Sequence, residues 1–148
     1  MTRWFAGALV VALVLGAGAA QAADAIGHVK TIQGAVTVVR GTNLPASVGL
    51  PIMAEDVIET GPDGSVGITF TDGSTMALGP DSRLVMAAYS FDSAAFTGDF
   101  AAELSAGTLV VDAGDIARTA PDAMRITTPD AVLGVRGTVF AVKVEPRS

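Results

Sequence analysis

The sequence predicts an all-β domain, and three observations carry that prediction. Val, Ile, Thr and Phe recur in short runs punctuated by Gly, Pro and Asp-Gly. Several of those runs alternate, as in Val66-Gly67-Ile68-Thr69-Phe70, which puts Val66, Ile68 and Phe70 on one face. No long window shows sustained helical periodicity. The expected form is a compact stacked-hairpin β-sandwich or a short β-roll, preceded by a cleavable signal-peptide helix.

The leader comes first. Arg3 supplies a positive start, Trp4 to Ala19 is uncharged and apolar, and Ala20-Gln21-Ala22 before Ala23 is a small-x-small cleavage signal. A retained transmembrane helix needs roughly 20 apolar residues. This run is shorter and carries Gly7, Gly16 and Gly18. Residues 1–22 are therefore read as a signal peptide cut after Ala22, with Ala20, Ala22 and Ala23 forming the cleavage site, and residues 23–148 as one domain.

Strands are expected at Gly27 to Ile32, Ala35 to Val39, Asp56 to Glu59, Ser65 to Thr71, Ser74 to Leu78 and Ser82 to Ala87. Later ones are expected at Ala101 to Leu104, Gly107 to Val111, Ala123 to Thr127, Ala131 to Val135 and Thr138 to Val144. In the last, Thr138, Phe140, Val142 and Val144 form the inward set. Gly41 to Leu50 and Tyr89 to Asp99 read as loops, with single helical turns allowed at Ser93 to Phe96 or Asp115 to Arg118. Asp72-Gly73 before Ser74 joins two alternating runs and predicts a type I′ hairpin turn. Recurrent glycines at 34, 64, 73, 107 and 137 suggest hairpins opened where backbone passes close to backbone.

Composition narrows the function classes. The chain has no cysteine and one histidine. Disulfides, thiolate nucleophiles and Cys-bound zinc are thereby excluded. His28 reads as an exposed strand residue, because no further histidine or nearby ligand set surrounds it. The net charge of −6 becomes one unit more acidic once Arg3 leaves with the leader, which disfavours nucleic acid and anionic lipid. Carboxylates such as Asp63, Asp72 and Asp81 sit at turns, where turn formation alone explains them. Calcium stays open as a minor alternative, although no Asp-x-Asp-x-Asp loop is present. No Gly-x-Ser-x-Gly elbow occurs. No enzyme, cofactor or metal is expected.

The most distinctive string runs from Ile126 to Val142: Thr128-Pro129, Ala131, then Gly134-Val135-Arg136-Gly137-Thr138-Val139-Phe140. It resembles the bacterial FecR-type periplasmic domain, whose hallmark is Thr-Pro, then Ala, then Val-Arg-Gly-Thr-x-Phe. Gly34-Ala35-Val36, Gly49-Leu50, Asp56 to Gly61, Phe70 to Ser74, Leu78 to Ser82 and Gly107-Thr108-Leu109 follow the same family in order. The best-known members are inner-membrane regulators that carry a signal from an outer-membrane receptor to a sigma factor. Only Met1 to Arg3 precede the apolar run here, so the resemblance implies an exported module without its own anti-sigma segment. Thr128, Pro129, Gly134, Arg136, Gly137, Thr138 and Phe140 are carried over as family motif residues of structural character. Arg136 has two readings: a fork tied to a carboxylate such as Asp72 or Asp130, or an anchor for a ligand.

The function expected from this is non-catalytic protein–protein interaction or envelope sensing, in the periplasm or outside the cell. The partner would be an envelope protein, met at an edge strand or loop, with no nucleic acid and no membrane after cleavage. Two alternatives stand beside it: a self-associating structural surface protein, and a small-ligand or calcium binder.

Overall fold

The computed structural model describes residues 25–120, 122–135 and 139–145. The expected leader with Ala20, Ala22 and Ala23, and the motif residues Arg136, Gly137 and Thr138, lie outside the described residues. The chain is all-β as expected, built as one curled, mainly antiparallel sheet that forms a half-barrel.

The strands are β1 (Gly27–Gln33), β2 (Val36–Val39), β3 (Asn43–Pro45), β4 (Pro51–Ile52), β5 (Val57–Thr60) and β6 (Ser65–Phe70). They continue with β7 (Thr75–Leu78), β8 (Arg83–Asp92), β9 (Thr97–Asp112), β10 (Met124–Thr127), β11 (Val132–Gly134) and β12 (Val139–Val144). A short helix, α1 (Asp115–Thr119), follows β9. The main path runs β3-β2-β5-β8-β9-β7-β6-β1-β4.

β9 organises everything else. Its first part pairs with β8 on one edge and β10 on the other. Its last residues, from Gly107 on, pair with β7 and β12. One strand thus belongs to both walls of the half-barrel, and the segment from β7 through β8 is its long hairpin partner. The bend lies where the corner between β7 and β8 meets Gly107. A Cβ on Gly107 would fall 2.0 Å from Ser82 Oγ, and its φ of +94° is a left-handed value. Only glycine fits a strand turned that way against a neighbour's backbone.

Alternation fills the space between the walls. Val66, Ile68 and Phe70 of β6 are buried together with Met76 and Leu78, Leu84 and Met86, and Leu109 and Val111. Phe100, fully buried, packs edge-on against both Phe70 and Tyr89, at centroid distances of 4.8 and 4.9 Å. In β12, Phe140, Val142 and Val144 are half-buried while Val139, Ala141 and Lys143 face out, in the sense expected from the sequence.

Several expectations are corrected. The expected strands at 101–104 and 107–111 are one sixteen-residue strand. The expected loop at 89–99 is mostly the outer end of the β8–β9 hairpin, because each residue from Tyr89 to Asp92 finds a ladder partner on β9. The expected loop at 41–50 contains β3. The turn at Asp72-Gly73 is not type I′: Gly73 alone has positive φ, the Gly73 N–H donates to Phe70 O at 3.0 Å, and Phe70 N–H donates to Ser74 O at 2.9 Å. That is a three-residue connection closed by a left-handed glycine. Of the two single helical turns, Asp115–Thr119 is α-helical and residues 93–96 are a plain turn.

Among the described residues the one parallel pairing, β10 on β9, needs a crossover. The segment containing α1 belongs to it, with Ile116 and Ala117 buried against the core.

Candidate functional site

The sequence-predicted residues fall in two separate places, with different physical roles. The first is the turn motif. Asp72 is 1% exposed, and its Oδ1 accepts the Ser74 N–H at 2.9 Å. Its Oδ2 accepts the Ser74 hydroxyl at 2.7 Å and the Ile116 N–H at 3.4 Å. Ser74 Oγ in turn accepts the Gly114 N–H at 2.9 Å, and the Asp115 N–H donates to Asp72 O at 2.9 Å. The hairpin turn is therefore riveted to the start of α1 by a closed set of buried polar groups. Tyr89 joins from the other side: its hydroxyl accepts the Asp72 N–H at 3.1 Å and shares a 2.6 Å hydrogen bond with Thr71 Oγ1. Burial raises the Tyr89 phenol above its ordinary value, with the Thr71 bond acting against that shift. Asp72 and Ser74 are buried and engaged on every side by these bonds, which is the arrangement of a structural joint.

A second joint lies along Asp56 to Gly61, which the family resemblance singled out only as a sequence string. Asp56 is 1% exposed and is held by a forked pair of hydrogen bonds from Arg40, one from Nε to Oδ1 at 2.8 Å and one from Nη2 to Oδ2. The Met53 N–H adds a third at 2.8 Å. The bond to Asp56 raises the Arg40 guanidinium above its already high value. Thr60 donates its hydroxyl to Gly79 O at 2.6 Å and accepts the Ser82 N–H at 2.9 Å, tying β5 to the corner before β8. Arg40 was not predicted; its partner lies sixteen residues away, and no local pattern marks it.

The Thr-Pro motif forms the other place. Thr128 to Ala131 is the turn of the β10–β11 hairpin, closed by the Thr128 N–H donating to Ala131 O at 2.8 Å. The Ala131 N–H donates to Thr128 Oγ1 at 3.1 Å. Pro129 takes the first central position, where its fixed φ suits a turn. Gly134 ends β11 opposite Arg125, and a Cβ there would approach Asp122 Oδ1 to 2.9 Å. Phe140, on β12 opposite Val111, packs half-buried against the core.

These elements frame an open feature. β12 pairs along β9 from Val139 opposite Asp112 to Val144 opposite Gly107. Among the described residues, its other edge has no ladder partner. Between that strand's end and the Thr-Pro turn lies a cleft of about 550 Å³, lined by Thr128 to Ala131, Leu133 and Val142 to Glu145. Val132 and Val139, on either side of the undescribed link, are 66% and 65% exposed. A smaller cleft of about 450 Å³ opens beside Tyr89, Phe91 and Ile26. His28 is exposed on β1. Among the described residues no group of three or more His, Cys, Asp or Glu side chains could hold a metal. None of the described helices is long and apolar enough to cross a membrane.

Comparison with known proteins places these features. No curated protein matches the chain. A solved structure described as a cell surface anchoring domain is 37% identical over 40% of this chain and 82% of its own, with a TM-score of 0.39. The family model of the FecR protein matches residues 56–148. FecR domains are envelope-associated. Because that match runs from the buried Asp56 through the Asp72–Ser74 joint and the Thr-Pro turn, and takes in more than half of the sequence, this chain belongs to the FecR protein family.

Proposed function

We propose that this chain is an exported, non-catalytic interaction module of the bacterial envelope, cleaved before Ala23 and acting as a single domain over residues 23–148. One observation carries the reading: β12 offers a six-residue edge beside a cleft, on a fold whose buried carboxylates, Asp56 and Asp72, are spent on its own joints. An uncompleted edge presents N–H and C=O groups in a row, and an extended segment of another chain can complete them. The Thr-Pro turn would stand at the end of such an added strand and set how far it reaches. The acidic balance of the chain supports a protein partner over nucleic acid or anionic lipid.

A photo-crosslinking amino acid placed at Lys143, in cells that make the protein, tests this. Lys143 is exposed on β12, and Asp63, exposed on the turn before β6, is the control position. A discrete adduct from position 143 and none from position 63 is expected. Equal labelling from both, or none from either, refutes contact at this edge.

A further inference from the structure

The strands that end the sheet are not equivalent. β3 has three residues and ends in Pro45, β4 has two and begins with Pro51, and β11 has three and ends in Gly134. Proline and short length blunt an edge, because they deny a partner a continuous ladder. β12 has six residues, Val-Phe-Ala-Val-Lys-Val, with neither Pro nor Gly. Its composition favours pairing, and a single lysine guards it.

We propose that the strand completing β12 is β12 of a second copy, paired antiparallel about a two-fold axis at Val142. This rests on the edge-strand reading above and names its partner. The register centred on Val142 uses the whole described length, from Val139 opposite Glu145 of the other copy to the reverse. On the half-buried face it sets Phe140 against Val144 and Val142 against Val142, apolar on apolar in each case. On the outer face Ala141 meets Lys143 and Val139 meets Glu145, so no like charges stand directly opposite. Lys143 already lies 3.6 Å from Glu145, the residue that follows its own strand. The segment is therefore locally neutral in a chain of net charge −6, which makes this edge a place where two acidic copies meet without direct repulsion. An isologous contact of this kind closes on itself and stops at a dimer.

The absence of cysteine makes the register measurable. Single-cysteine variants Val142→Cys, Lys143→Cys and Asp63→Cys of the full-length protein, recovered after expression in its host, are oxidised and run without reductant. Far-UV circular dichroism checks that each is folded. A disulfide dimer forming much faster at 142 than at 143 or 63 is expected. Sedimentation equilibrium of the unmodified protein should show a monomer–dimer equilibrium that tightens with added salt, as screening weakens the repulsion between acidic bodies. A monomer at every concentration, with no preference for position 142, overturns the proposal. The crosslinker at Lys143 separates the two readings. An adduct at twice the chain's mass supports self-pairing. A discrete adduct of any other mass, with a monomeric protein, sinks the second copy and leaves the edge reading standing; no adduct at all removes both.

Discussion

Replacing Arg40 with methionine isolates the fork that holds the buried Asp56. The substitution keeps an apolar stem of similar length and removes the guanidinium that holds both oxygens of Asp56. What remains is a carboxylate 1% exposed with one backbone donor, the Met53 N–H. Breaking a buried pair by removing one partner costs about 3–5 kcal/mol, most of it from the charge left behind. The arginine side of this pair is 34% exposed, so water can reach the vacated position. The lower end, about 3 kcal/mol, is therefore expected. For a domain of this length that corresponds to a fall of roughly 10 °C in Tm. The double variant Arg40→Met with Asp56→Asn removes the charge while keeping an acceptor for Met53, and should recover about half of the loss. Thermal and urea unfolding followed by far-UV circular dichroism gives all three values. A loss below about 0.5 kcal/mol for Arg40→Met would refute the reasoning, because that is the size of a solvent-exposed ion pair.

Three further variants have specific outcomes. Tyr89→Phe removes the hydroxyl that meets the Asp72 N–H and Thr71, and should cost about 1–2 kcal/mol at neutral pH. Because folding raises this phenol, its share of stability is intact below the unfolded value near 10 and is lost as pH climbs through the folded value. Urea midpoints should therefore fall more steeply above pH 10 in the parent than in Tyr89→Phe; equal slopes contradict the assignment. Gly107→Ala should cost about 3–5 kcal/mol, since it adds a backbone clash with Ser82 to a left-handed conformation. Gly49→Ala, also at positive φ but with open space around it, should cost only about 1–2 kcal/mol in the same urea titration.

Most strands could be read from alternation because one face of each is buried: Val66, Ile68 and Phe70 declare β6 without help from any neighbour. β9 was misread as two strands for a definite reason. Its inward residues are Phe100, Ala102 and Leu104, then Leu109 and Val111, so the parity switches between 104 and 109. The ladder with β8 slips at the same place, between Arg83 and Leu84. A period of two cannot survive such a slip, although the strand does. The outer end of the β8–β9 hairpin was missed because Ser, Asp and Ala have weak strand preference; pairing across the hairpin overrides it. At the turn, Asp-Gly announced a reversal but not its length, which depends on how Phe70 and Ser74 pair.

The functional surface was less legible. Thr128-Pro129 and Phe140 stood out as a string, yet the openness of β12 depends on which strands lie beside it, and that is a property of topology. The Arg40–Asp56 fork was invisible for the same reason: the two residues flank β2 and β5 and meet because those strands pair with Val39 opposite Val57. The polar residues the sequence did highlight, Asp72 and Ser74, are engaged in holding the turn to α1.

The sharing of β9 between both walls has a consequence for how the molecule comes apart. In a sandwich of two separate sheets, one sheet can loosen while the other keeps its own ladder. Here either wall, on leaving, strips partners from a strand that the other wall also needs, so partial states forfeit contacts on both sides at once. Loss of structure is thus concentrated into a single cooperative step, and a protein without a disulfide resists fraying by having no half that can survive alone.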